Sequence, residues 1–138
     1  MNIKEKTILI IDDDQDFRAS IGVVLEAQGY KVIEAASAGE GLARISKQKP
    51  DLLILDVMME HESAGYEVNQ TVKFRDEFKV ARNVPIVMVS SIPLEPAVRF
   101  DRAAEVDMII PDYYMTKPLN IKEFVGQVQK LLETRQAP

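Results

Sequence analysis

Several side chains able to handle a hard cation and a phosphate stand at the ends of apolar runs in this 138-residue sequence. Asp12 and Asp13 close TILII, Asp56 closes LLIL, Ser90 closes PIVMV and Lys117 follows YYMT. If those runs are parallel strands of one sheet, all five residues meet at its carboxyl edge, where open α/β sheets bind ligands. Clustered carboxylates with nothing to neutralise them are costly, so Asp12, Asp13 and Asp56 imply a bound cation. Oxygen donors in a chain without cysteine favour a hard ion such as Mg²⁺, which keeps several waters and binds through a few carboxylates plus phosphate oxygens. Lys117 and the Ser90 hydroxyl would then face whatever anion joins the site. A carboxylate beside a divalent ion, a lysine and a hydroxyl is equipped to accept a phosphoryl group as an acyl phosphate.

The elements that must position these residues are legible in the hydrophobic pattern. Leu52 to Leu55 are aliphatic on both faces, which suits a central strand covered by helices on each side. Thr7–Ile11, Lys31–Ala35, Val84–Ser90 and Tyr113–Thr116 read as four further strands. Between them run helical patterns. Phe17, Ile21, Val24 and Leu25 share one face of a helix over 15–28, which Gly29 is placed to end in the left-handed conformation. Ser37 and Glu40 have the form of a capping box opening a helix that turns Leu42 and Ile45 inward. A helix over 65–78 follows the central strand, with Val68 and Val72 on one stripe and Phe74 and Phe78 on a second. Ala97–Glu105 can supply two turns within an irregular stretch that reaches Pro111. Asn120, with Glu123 at the capping-box position and a Leu119–Phe124 staple, opens the last and clearest amphipathic helix. Its chain end is expected to fray after Glu133. Strands alternating with helices predict a parallel sheet with right-handed crossovers. No repeat, linker or low-complexity block interrupts the chain, so one domain spans 1–138, with a core over about 5–134 and a flexible tail at 135–138.

Composition narrows the functions. A net charge of −5 argues against a dominant phosphate-backbone interaction, so no direct DNA binding is expected. The absence of cysteine removes disulfides and thiolate metal sites and fits a reducing, cytoplasmic setting. The apolar run that stops at Asp12 is too short for a signal-peptide core or a membrane span. His61, the single histidine, lies in a polar loop and reads as a surface residue with no phosphorelay role.

The ordered set IIDDD, LLILD, VMVSS and TKP resembles the receiver domain of two-component response regulators, over essentially the whole chain. The resemblance implies a flavodoxin-like (βα)5 three-layer sandwich with a five-stranded parallel sheet of order 2-1-3-4-5 and, here, an irregular fourth helix region. It implies Asp56 as phosphoacceptor, and Asp12, Asp13, Asp56 and the backbone carbonyl of Met58 as ligands of Mg²⁺. It also implies Ser90 and Lys117 as contacts of the phosphoryl oxygens, a cis Lys117–Pro118 bond and a switch formed by Ser90 and Tyr114. Tyr114 as an ordinary half-buried strand residue is the competing reading. The implied partners are a sensor histidine kinase or phosphotransfer protein upstream and a protein target downstream, met through the 97–134 face. A phosphorylation-dependent homodimer is a further state the family allows. Such a protein catalyses only its own phosphorylation and dephosphorylation. With no output domain after the last helix, a single-domain regulator signalling through protein contacts is the expectation.

The sequence departs from the family in places. The loop from Val57 to Gly65 lacks the usual proline and is longer, as is the interval from Ser90 to Lys117. Met58 and Ile92 occupy the positions that flank the attacking water, and neither orients water, which predicts slow loss of the acyl phosphate. Met108, Ile109, Ile110 and Tyr113 can form a partner surface or an irregular part of the core. Two other functions fit some of the residues. A haloacid-dehalogenase-like phosphatase would use Asp12 as nucleophile and Asp14 as acid/base, but Asp16 stands where that family usually has Thr or Val. A pseudo-receiver would act as an interaction module without phosphorylation, which the complete acidic set argues against.

Overall fold

Strands β1 (Thr7–Ile11), β3 (Leu52–Asp56) and β4 (Ile86–Ser90) are five residues each and buried along their whole length. Runs apolar on both faces are stable only where both faces are covered, which drives them to the centre of a parallel sheet. The computed structural model describes residues 5–57, 59, 64–91 and 112–136, the side chains of 134–136 excepted. In it the strand order is β2-β1-β3-β4-β5 and every pairing is parallel. The edges are β2 (Lys31–Ala35) and β5 (Tyr113–Thr116), and both carry exposed residues. The order is the flavodoxin-like one that the receiver resemblance implied.

Two cores lie on the two faces of the sheet. On one, Ile21 and Leu25 of α1 (Gln15–Ala27) and Phe124, Val128 and Leu132 of α4 (Ile121–Gln136) pack on Ile8, Ile10, Leu52, Ile54, Val87 and Val89. On the other, Ile45 of α2 (Ala38–Lys47) and Val68 and Val72 of α3 (Ala64–Phe74) pack on Leu9, Ile11, Leu53, Leu55, Ile86 and Met88. The pleat sends alternate strand residues to alternate layers, so each central strand serves both cores.

The ends of the helices follow local chemistry. Asp14 caps α1, its carboxylate accepting the Phe17 N–H at 3.1 Å. Gly29 leaves that helix at φ +97, where a Cβ would be strained. The Ser37 hydroxyl accepts the Glu40 N–H at 3.2 Å, while the Glu40 carboxylate reaches back to the N–H of Ala36, one residue beyond the box partner. Asn120 accepts the Glu123 N–H at 3.0 Å. Glu123 does not close a box but accepts the Tyr113 hydroxyl at 3.3 Å.

Three boundaries differ from the sequence reading. The helix expected over 65–78 ends at Phe74, and a 3-10 segment, Asp76–Ala81, follows. One continuous α-helix would hold Phe74 and Phe78 on one stripe. Instead the backbone turns extended at Arg75 (φ −85, ψ 132) and departs from helical values again at Phe78 (φ −112, ψ 15); Phe78 and Ala81 are buried and Phe74 is left 55% exposed. Strand β4 starts at Ile86 rather than Val84, because Val84 donates its N–H to Ala81 to close the turn and Pro85 has none to give. Helix α4 runs on to Gln136, past Glu133. The pattern at Ala97–Glu105 and the apolar Met108–Ile110 lie outside the described residues. No helix among the described residues is long and apolar enough to cross a membrane.

Candidate functional site

Adjacent carboxyl ends of β1 and β3 bring Asp12, Asp13 and Asp56 together, and one carboxylate oxygen of each lies within 4.8 Å of the others. Asp12 and Asp56 are buried, at 1% and 5% exposure, whereas Asp13 is exposed. The amine of Lys117, just past β5, donates to Asp12 Oδ2 at 2.9 Å and stands 3.9 Å from Asp56 Oδ1. It also lies over the ring of Phe17, 4.3 Å from the centroid. Of the three carboxylates, Asp12 and Asp56 meet the Lys117 ammonium, and together the three place negative charge on hard oxygen donors. That donor set fits Mg²⁺.

Asp12 is held on every side. Its Oδ1 accepts the N–H of Asp14 at 2.9 Å, and its own N–H donates to the Ala35 carbonyl at 3.0 Å. Its carbonyl accepts from Arg18 Nη1 at 2.7 Å, and Arg18 Nε pairs with Glu34 Oε1 of β2 at 2.9 Å. Arg18 therefore ties the end of β1 to β2. The sequence reading passed it over, although a cation near a helix N-terminus works against the helix dipole and so signals another attachment. Gly65 is a second residue that the reading left without a role. Its N–H donates to the Val57 carbonyl at 2.8 Å, and its backbone is pressed against that of Asp56.

Ser90 ends β4 with 1% exposure. Its carbonyl accepts the Lys117 N–H at 2.7 Å, which carries the β4–β5 ladder one step past the Ser90–Thr116 pair. The Lys117–Pro118 peptide is cis. Tyr114 is half-buried and pairs in register with Met88, packing against the core under α2 and α3. Since residues two apart on a strand share a face, Ser90 lies on the Tyr114 side of the sheet, while Asp12, Asp56 and Lys117 continue the alternation of the α1 and α4 side. Met58, Ile92 and His61 lie outside the described residues.

The description "Response regulator receiver domain" matches residues 8–129 of this chain. The chain belongs to the response regulator receiver family. The receiver is 36% identical over 127 residues to the phosphate regulon transcriptional regulatory protein PhoB of Pseudomonas aeruginosa, a match covering 92% of this chain and 52% of that protein. It is 30% identical over its full 138 residues to the probable transcriptional regulator ycf27 of Cyanophora paradoxa, 53% of which is covered. The receiver thus spans about half the length of the curated relatives it matches. Among solved structures, a response regulator of Chloroflexus aurantiacus aligns with a TM-score of 0.79 at 30% identity, covering 94% of this chain and 99% of that one. A CheY-like receiver domain protein of Methanospirillum hungatei aligns with a TM-score of 0.76 at 26% identity, covering 96% and 98%.

Proposed function

We propose that this receiver accepts a phosphoryl group on Asp56 from a phosphohistidine of a sensor kinase or phosphotransfer protein. In the transfer an Asp56 carboxylate oxygen forms the O–P bond as the N–P bond breaks, and the imidazole leaves to take up a proton. The observation that carries this reading is the Lys117 amine, 2.9 Å from Asp12 and 3.9 Å from Asp56. From there it can follow the new negative oxygens while remaining paired. The Ser90 hydroxyl would donate to a second oxygen. Mg²⁺, held by Asp12, Asp13, Asp56 and the Met58 carbonyl, would supply the charge that offsets the transferred group.

Movement of Ser90 toward the phosphoryl group would alter the packing of Tyr114 on the same sheet face and shift the population of two surface states. The 97–134 face would then meet a downstream protein or a second copy of the chain. The net charge of −5 favours protein contacts over direct DNA contact for this domain. A cytoplasmic location goes with this reading, as does a chain that catalyses only its own phosphorylation and dephosphorylation. The phosphatase alternative is disfavoured, since the Asp14 carboxylate that would serve as acid/base is committed to capping α1.

Acetyl phosphate with Mg²⁺ tests the reading. Label retained on wild type and absent from Asp56→Asn is expected; multiple turnover lost only with Asp12 would overturn it, and Mg²⁺-independent beryllofluoride behaviour would favour a pseudo-receiver. Slow phosphate release, attributed to Met58 and Ile92, is checked by Met58→Asn, which is expected to release phosphate faster than wild type.

A further inference from the structure

Phe17 sits in the first turn of α1, and in sequence it is one more member of the apolar stripe that continues through Ile21 and Leu25. Its ring packs beside that core but stays only half-buried, and the Lys117 ammonium stands 4.3 Å from its centroid. Among the described residues the amine therefore has three close neighbours: Asp12, Asp56 and a neutral π face. A ring face attracts a cation through its quadrupole and brings no net charge. That distinction matters in a cluster that already holds three carboxylates. A fourth anion beside Lys117 would draw the amine away from Asp56 and would offer the metal another ligand, whereas the ring does neither. It also limits a four-carbon side chain that is otherwise costly to hold in one conformation.

We infer that Phe17 is a positioning residue for Lys117, walling the amine against Asp12 and Asp56 so that it is already in place when the phosphoryl group arrives. The inference rests on the phosphoacceptor reading of Asp56. Without the ring the amine can swing into solvent, and phosphoryl uptake slows by roughly two- to thirtyfold, the range spanned by measured cation–π strengths. Mg²⁺ binding, which depends on the carboxylates, is not weakened.

The test uses acetyl phosphate, a donor too small to dock on α1, so that loss of a kinase contact cannot imitate loss of positioning. Phe17→Leu keeps an apolar side chain of similar reach and removes the π face; Phe17→Tyr keeps the face. In metal-free protein carrying ¹³C at the lysine ε position, the Lys117 signal is expected upfield of the other lysines in wild type and Phe17→Tyr, and among them in Phe17→Leu. Labelling of Asp56 is expected to slow in Phe17→Leu and to be restored in Phe17→Tyr, with thermal stability measured alongside. A wild type that labels no faster than Phe17→Leu overturns the inference and leaves the phosphoacceptor reading standing. So does a rate that follows thermal stability alone through both variants, or a Lys117 signal unmoved by the loss of the ring. A wild type that takes no label on Asp56 overturns both.

Discussion

Gly65 rests on the carbonyl of Asp56 so closely that a methyl group on its α-carbon would overlap that oxygen, with the Val57 α-carbon at 2.7 Å. Neither atom belongs to a side chain that could turn aside. Gly65→Ala is therefore expected to destabilise the fold by about 1–3 kcal/mol, the usual cost of overpacking. It should also shift Asp56 and, on the proposed phosphoacceptor reading, slow its labelling by acetyl phosphate. Gly126, exposed on α4 with open space around it, is the contrasting case. Gly126→Ala is expected to stabilise by about 0.5–1 kcal/mol, as Ala does over Gly within a helix. Urea unfolding of the two variants beside wild type measures both.

The crowded carboxylates make a second prediction. Asp13 is the exposed member of the three and adds negative charge beside Asp12 and Asp56. Asp13→Asn is expected to raise the thermal midpoint in metal-free buffer, with the gain shrinking in high salt as screening grows. Mg²⁺ should stabilise wild type by about 2.7 kcal/mol at a hundredfold excess over its Kd, and Asp13→Asn far less at the same concentration. Thermal melts with EDTA and across a Mg²⁺ series check this.

Asn69 on α3 is fully buried, and neither its amide nitrogen nor its oxygen has a hydrogen-bond partner among the described residues. Leaving such a group unpaired costs about 1–3 kcal/mol, so Asn69→Leu, close in volume and without polar atoms, is expected to stabilise by that order. Urea midpoints measure it. A variant less stable than wild type would show that the amide serves a partner in solution.

Tyr30 sets an alkaline limit. Burial, and secondarily the nearby Glu133 carboxylate, push its phenol above the ordinary value. The native state thus keeps this proton when the unfolded chain releases it. The contribution is whole below the unfolded value of about 10 and is lost as pH rises through the higher native value. Tyr30→Phe is expected to flatten the fall in stability above pH ~10. Glu133→Gln should move the phenol's titration, followed by absorbance at 295 nm, back toward the ordinary value.

How far the sequence disclosed this structure depends on what each residue was asked to show. The central strands were legible because aliphatic runs such as Leu52–Leu55 suit only a sheet covered on both sides. Once the strands are parallel and ordered, Asp12, Asp13, Asp56 and Lys117 must approach one edge, and they do. What periodicity could not show is where a helix stops for the sake of the core. Phe78 had the spacing to continue α3, but the chain leaves the helix at Arg75 and Phe78 is buried from a 3-10 segment instead. Nor does periodicity separate the two uses of one side chain. Phe17 fits the apolar stripe of α1, yet its ring also faces an ammonium supplied by a strand end distant in sequence. Arg18 and Gly65 support the site through backbone contacts, which leave little trace in residue type.

The Asp12–Lys117 pair closes across 105 positions. A ribosome must therefore make nearly the whole domain before the oldest acid of the cluster can meet its amine, and contacts so distant along the chain form slowly. A nascent or half-folded copy presents Asp56 without its lysine. On the phosphoacceptor reading proposed above, competence to receive a signal is in that sense a certificate of finished folding, issued only when the last strand has docked.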